Sequence, residues 1–170
     1  MGRSFGFTAL LLAGATAQAQ SIIPSQLDPA ASQSLSLIVA AKGVQIYECR
    51  HSSHARAWEW TFVAPQAELY DTTGAKIGRH YGGPSWEATD GSRLVGAVKA
   101  RAEAPAANAI PWLLLDTKSA GNPGSFSKVT SIQRVNTVGG MAPKVGCSEG
   151  NAGTPVRVPY TADYYFFTTK

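Results

Sequence analysis

The chain has 170 residues, of which 44% are hydrophobic and 15% are charged, and its formal net charge at pH 7 is +4. This length and hydrophobic content are typical of one globular domain with a single core. The lysines and arginines do not form runs, so the sequence lacks the basic patch expected of a nucleic-acid-binding protein.

The first 19 residues have the pattern of a secretory signal peptide. Arg3 precedes an apolar stretch over 5–17, and Ala17-Gln18-Ala19 gives the small-x-small pattern of a cleavage site. The apolar stretch is shorter than a membrane-spanning helix, and no later segment is long and apolar enough to span. We therefore predict a signal peptide over 1–19 and export of the mature chain to the periplasm or the extracellular space.

The next part of the chain changes from a polar segment to short strands. Residues 20–34 are rich in Ser, Gln, Pro and Ala and are predicted to form a flexible leader. Residues 35–39 and 44–49 have the composition of strands and flank Lys42-Gly43. Because glycine readily adopts the positive φ of a tight turn, this arrangement predicts a β-hairpin.

The segment 57–63 alternates in the manner of a half-buried strand. Trp58, Trp60 and Phe62 share one face of this strand. We predict that this stripe packs in the core. The alternative is a row of exposed aromatic rings on which sugars could stack.

Further strands are predicted from apolar runs separated by turns rich in Gly, Pro, Asn and Ser. They cover residues 67–70, 76–78, 94–101, 111–115, 129–138 and 160–169. No segment after the signal peptide offers three turns of helical periodicity. About eight short strands at this spacing predict a single all-β domain over 35–170, either an antiparallel β-sandwich or a small β-barrel.

Cys49 and Cys147 are the two cysteines of the chain. Free thiols are a liability in an oxidising compartment, so we predict that these two form a disulfide, with two separate buried thiols as the alternative. Cys49, His51 and His54 have a spacing that suits zinc or copper. Since the cysteine is needed for the disulfide and further ligands are not evident, no metal site and no cofactor are predicted.

Residues 80–92 concentrate titratable and aromatic side chains among turn residues. Turns on a rigid scaffold are where binding and chemistry often occur. His80, Glu87 and Asp90 supply the base and the acids that a glycosidase-like hydrolase needs, and they are the candidates for catalysis. The alternative is that Asp90 shapes a turn by binding its own backbone and that Glu87 pairs with a neighbouring arginine.

Aromatic faces combined with amide and guanidinium donors suit a site for sugars, phenolics or carboxylated small molecules. The candidate ligand-binding residues are His80, Tyr81, Trp86, Glu87, Gln133, Arg134 and Asn136. The last three are distant from the first four in sequence, so the prediction requires the fold to bring the two groups together. The alternative is that Trp86 is buried for packing alone and that Gln133 and Arg134 lie on an exposed strand face.

Short stretches with a common spacing run through the whole mature chain. They cover residues 43–49, 60–65, 78–81, 83–87, 90–92, 109–114, 132–137, 139–140, 142–143, 147 and 158–162. These stretches resemble the motifs of a family of secreted proteins, domain of unknown function 3455. The resemblance implies a defined fold over the mature domain, and it implies no reaction because the family has no agreed activity.

The sequence has no G-x-S-x-G elbow, no H-E-x-x-H motif and no P-loop. It therefore favours a binding protein over an enzyme. We predict an exported, monomeric domain that binds a small molecule or an extracellular polymer near His80–Ser92. The alternatives are a secreted hydrolase that uses Glu87 or Asp90 with His80, and a purely structural or interaction module.

Overall fold

A computed structural model describes residues 22–170, and the predicted signal peptide over 1–19 lies outside the described residues. The described chain contains eight strands and two single-turn 3-10 helices, Ser25–Leu27 and Glu149–Asn151. The strands are β1 (Gln33–Ser52), β2 (Ala57–Tyr70), β3 (Lys76–Tyr81), β4 (Ser85–Ala88), β5 (Arg93–Ala102), β6 (Trp112–Ser119), β7 (Val129–Gly139) and β8 (Pro155–Thr169). Among these residues, no helix has the length and apolar character needed to cross a membrane.

Each strand pairs antiparallel with its neighbour in sequence, and β8 pairs with β1, so the sheet closes into a barrel. Closure removes the exposed edges that an open sheet would leave. The predicted all-β fold is confirmed. Of the two predicted alternatives, the sandwich and the barrel, the chain adopts the barrel. Because the loops alternate between the two ends, the β1–β2, β3–β4, β5–β6 and β7–β8 connections lie at one end, termed the upper end. Strand β1 begins, and strand β8 ends, at the opposite end, termed the lower end.

Strand β1 runs without interruption for 20 residues, so the predicted hairpin at Lys42-Gly43 is wrong. A Cβ added to Gly43 would lie 2.1 Å from the carbonyl oxygen of Gln66. Glycine is therefore required here for the close approach of β2, not for a turn. The length of β1 allows it to pair with β8 over Gln33–Glu48 and with β2 over Ala40–Ser52, which closes the barrel.

The lower half of the barrel is filled by apolar side chains that project from the strands. Val39, Leu69, Leu94 and Ile132 are fully buried there. Phe126, from the β6–β7 loop, joins the same core and packs edge-to-face on Phe166, with ring centroids 5.0 Å apart. The lower half is thus a conventional packed core.

A second apolar cluster covers part of the outer wall. Leu27, from the first 3-10 helix, is fully buried against Trp112, Leu114 and Val135. The side-chain nitrogen of Gln133 donates a hydrogen bond of 2.6 Å to the carbonyl oxygen of Leu27. Ile23 packs against the same cluster, so this part of the segment predicted as a flexible leader lies on the barrel.

The disulfide between Cys49 and Cys147 is present, as predicted, and links the end of β1 to the β7–β8 loop. It fixes that loop at the upper end of the barrel. Cys49 is consequently not free to bind a metal ion.

The aromatic stripe of β2 does not lie in the core, so that prediction is wrong. Trp58 and Trp60 are half-buried, and 51% of Phe62 is exposed. A β-bulge at Val63 interrupts the register between β1 and β2, which changes the face presented by the residues before it. The stripe therefore lies at the upper end of the barrel, where Phe62 faces an interior cavity and the indole nitrogen of Trp60 donates to the carbonyl oxygen of Val145 at 3.0 Å.

Candidate functional site

The upper half of the barrel contains a cavity of about 490 Å³, within the size range of about 300–1,000 Å³ that is typical of small-molecule sites. All eight strands contribute side chains to its wall. Most of these side chains are aliphatic or aromatic. The charged residues among them are Arg101 and Arg134, and the lining includes no carboxylate.

One side of the cavity is formed by three stacked or edge-packed rings, His80, Trp86 and Tyr164, termed the aromatic wall. His80 and Trp86 are cross-strand partners on β3 and β4, so both project inward. Their rings stack with centroids 4.5 Å apart. The Tyr164 ring packs edge-on against both, at 5.2 Å and 5.6 Å.

Gly96 on β5 provides the space for the indole of Trp86. A Cβ at Gly96 would lie 2.7 Å from the Trp86 ring. A glycine inside a strand often marks such a close approach. The position of the aromatic wall is thus determined by backbone geometry as well as by ring packing.

His80 is buried, with 2% of its surface exposed. Its Nδ1 lies 2.8 Å from the carbonyl oxygen of Ser85, which can only accept, so Nδ1 carries the proton and Nε2 is the acceptor. Burial lowers the pKa of His80 to about 3, and the nearby charge of Arg134 acts in the same direction. The imidazole is therefore neutral at pH 7 and contributes no charge to the cavity.

Arg134 places a positive charge in the cavity from β7. Its Nε and Nη2 atoms donate to the carbonyl oxygen of Pro111 at 3.1 Å and 2.8 Å. It forms no salt bridge within the described part of the chain. Burial raises the pKa of both Tyr47 and Tyr164, and the positive charge of Arg134 acts in the opposite direction.

Three buried polar atoms of the cavity lining have no hydrogen-bond partner among the described residues: Nε2 of Gln45, Nε1 of Trp86 and the hydroxyl of Tyr164. The buried hydroxyl of Tyr160 is likewise unpartnered. Gln45 and Tyr164 lie close enough to Tyr160 to influence its pKa, and Tyr160 and Arg134 influence the pKa of Tyr164, but none of these contacts reaches hydrogen-bond geometry. Unpartnered buried polar groups cost free energy, about 1–3 kcal/mol each, and therefore call for an explanation.

Tyr81 and Glu87 lie on the outer face of the barrel, because they alternate with the inward-facing His80 and Trp86. The Tyr81 hydroxyl donates to Glu87 at 2.6 Å, and Arg79 donates to the other carboxylate oxygen at 2.9 Å. These two hydrogen bonds hold the pKa of Glu87 below its usual value. Both residues border an open depression on the outer surface, apart from the interior cavity.

Asp90 lies at the lower end of the barrel, where it connects two loops. It accepts hydrogen bonds from the backbone and hydroxyl of Ser92, at 2.9 Å and 2.6 Å, and from the backbone of Ser125 at 2.7 Å. These bonds, that from the Ser92 hydroxyl foremost, hold its pKa well below the usual range. His80, Glu87 and Asp90 thus occupy the interior, the outer face and the lower end, and the fold does not bring them together.

Of the second predicted group, the fold brings only Arg134 to His80 and Trp86. Gln133 faces outward under Leu27. Asn136 is exposed at a bulge of β7, has a left-handed φ of 51°, and donates to a side-chain oxygen of Asp163 at 2.8 Å.

The sequence interpretation missed four polar residues of the cavity, Gln45, Tyr47, Arg101 and Tyr164. Gln45 and Tyr47 are two positions apart on β1 and so share a face. The signal available for them in the sequence is that they alternate with the apolar residues Val44 and Ile46.

The remaining candidate ligands for a metal lie at the upper rim. Cys49 is in the disulfide, and the His51 ring packs edge-on against Trp58, with centroids 5.4 Å apart. In the part of the chain that the structure describes, no group of three His, Cys, Asp or Glu side chains is arranged to hold a metal ion.

Comparison with family models gives one match, to the family described as "Protein of unknown function (DUF3455)", over residues 29–168. Neither the curated proteins nor the solved structures include a match to the chain. The matched residues include every side chain of the cavity and both cysteines. Since the match covers most of the chain, this protein belongs to the DUF3455 family.

Proposed function

We propose that the protein is an exported binding protein that holds a small, largely apolar molecule in the cavity at the upper end of the barrel. The observation that carries this proposal is an apolar cavity of about 490 Å³, three of whose lining residues, Gln45, Trp86 and Tyr164, each have a buried polar atom without a hydrogen-bond partner. Small-molecule sites combine a concave apolar surface with a few polar groups that orient the ligand. The predicted signal peptide and the Cys49–Cys147 disulfide support export.

The scaffold around the cavity supports binding because it is preorganised. The packed lower half of the barrel holds the strands, and the disulfide holds the β7–β8 loop, which contributes Met141 and Ala142 to the cavity wall. A site that exists before the ligand arrives loses less free energy to ordering on binding.

The observations favour binding over hydrolysis. A glycosidase uses two carboxylates that face one substrate. Glu87 is held by hydrogen bonds on the outer face, and Asp90 is held by hydrogen bonds at the lower end. Neither carboxylate belongs to the cavity.

The proposal is tested by titrating the protein with N-phenyl-1-naphthylamine, a neutral dye that fluoresces in apolar sites. We expect saturable binding of one dye molecule per protein. Replacing Ala142 in the cavity wall by Trp (A142W) should block binding, because the larger side chain occupies the cavity.

The matched control is A97W, because Ala97 is exposed on the outer face of β5. We expect it to bind the dye as the wild type does. The proposal is overturned if the wild type shows no saturable binding, or if A142W and A97W bind the dye equally well.

A further inference from the structure

We propose that the ligand is a small aromatic monocarboxylate whose carboxylate group is bound by Arg134 inside the barrel. This inference rests on the proposed function, since it specifies the ligand of the same cavity. It follows from the charge of the cavity, from the kind of polar atoms that are unpartnered there, and from the shape of the wall.

The charge of the cavity comes first. Arg134 brings a guanidinium into a space whose lining contains no carboxylate, and its partner there is a neutral carbonyl oxygen, that of Pro111. Arg101, exposed at the end of β5, adds a second positive charge to the lining. A partly buried cation without an anion is unfavourable, so an anionic ligand would compensate it.

The unpartnered atoms have the polarity that an anion requires. The amide nitrogen of Gln45 and the indole nitrogen of Trp86 can only donate hydrogen bonds, and the Tyr164 hydroxyl is also able to donate. A carboxylate offers about four acceptor positions on two oxygens, and its planar shape matches the fork of a guanidinium. A cationic or purely donating ligand would leave the same atoms without partners.

The shape of the wall indicates the rest of the molecule. The stacked rings of His80 and Trp86 and the edge-packed Tyr164 present flat aromatic surface, and Leu113 and Leu115 line the cavity from β6. Aromatic rings favour stacked and edge-to-face neighbours of the same kind. Of the two guanidinium groups in the lining, that of Arg134 is partly buried on the inner wall and that of Arg101 is exposed at the end of β5, so the interior suits a single negative charge joined to an aromatic body.

The test compares 2-naphthoate with 2-naphthamide, which have nearly the same shape and differ in charge. Binding is measured by isothermal titration calorimetry. We expect the wild type to bind naphthoate at least about tenfold more tightly than naphthamide, because a charge-assisted hydrogen bond is about twice as strong as a neutral one. In R134Q the preference should disappear through loss of naphthoate affinity, with naphthamide affinity changed by less than about threefold.

The matched control is R79Q, which removes the same charge from the outer face of the barrel, where Arg79 pairs with Glu87. It should keep the wild-type preference. If R134Q does not fold, R134K replaces it, and this variant should retain a preference for naphthoate because it retains the charge.

The outcomes separate this inference from the proposed function. If the wild type binds both compounds equally, or if R134Q keeps the preference for naphthoate, the inference is overturned while the cavity remains a binding site. Loss of the preference in R134K also overturns it. If neither compound nor the neutral dye binds, the proposed function itself fails.

Discussion

Lowering the pH from 7 to 5 is expected to destabilise the protein through His80. The unfolded chain exposes this imidazole, whose pKa is then about 6.5. In the folded chain, burial against Trp86 and Tyr164, together with the charge of Arg134, lowers the pKa of His80 to about 3. Below pH 6.5 the unfolded state therefore binds a proton that the folded state does not bind, and stability falls as the pH falls towards 3.

The size of the effect follows from the two pKa values. Each pH unit between them costs about 1.4 kcal/mol, so the free energy of unfolding should fall by about 2 kcal/mol between pH 7 and pH 5. Any folded-state pKa below about 4 gives the same loss over this interval. For a domain of this length, the melting temperature should fall by about 4–8 °C.

The measurement is thermal unfolding followed by circular dichroism at pH 7, 6 and 5. H80Q should be less stable than the wild type at pH 7, and its stability should change little over this range. H51Q and H54Q are the controls, because both histidines are exposed, and each should keep the wild-type slope. A wild-type curve that is flat from pH 7 to 5, or an H80Q curve as steep as that of the wild type, would refute the reasoning.

Three further changes test other parts of the structure. Replacing Cys49 and Cys147 by serine opens a loop with a sequence separation of 98. The free energy of unfolding, measured in urea, should fall by up to about 4.7 kcal/mol. A change below about 1 kcal/mol would contradict the entropic account of the disulfide. Asp90→Asn should lower the urea midpoint of unfolding, because it weakens the hydrogen bonds that connect the two lower loops. It should leave dye binding at the upper end unchanged. A lower dye affinity at an unaltered midpoint would contradict the placement of Asp90 at the lower end. Gly96→Ala brings a methyl group to within 2.7 Å of the Trp86 ring. It should lower the free energy of unfolding by about 1–3 kcal/mol and weaken dye binding. Unaltered dye binding together with unaltered stability would show that the ring is not held there.

The fold class and the disulfide could be predicted from the sequence. The prediction fails where the same residue type suits two different structural roles. Because glycine tolerates positive φ, the sequence predicts a turn at Gly43, but this residue lies within β1, where the backbone of β2 leaves no room for a Cβ. The alternation of Trp58, Trp60 and Phe62 was correctly recognised as a strand pattern. Which face of the barrel they would present depended on the bulge at Val63, which local alternation does not reveal.

The candidate site was only partly predictable for a related reason. The composition of residues 80–92 marked the segment, but adjacent strand residues face opposite sides, so His80 entered the cavity and Tyr81 did not. Arg134 and Tyr164 reach the same cavity from β7 and β8 only because the sheet closes on itself. Their proximity to His80 is a property of the barrel, and no local pattern encodes it.

The contrast between the two halves of the barrel gives the strongest physical reason to regard the upper half as a site. The lower half demonstrates that this chain packs the interior with apolar side chains such as Leu69 and Ile132. In the upper half the same strands carry Gln45, Arg134 and Tyr164 in inward positions, and polar atoms of Gln45 and Tyr164 lack partners. Apolar residues there would be more stabilising, because buried polar groups without partners are costly. Departures from local packing rules tend to occur at functional sites, and binding of a polar ligand group would supply the missing partners.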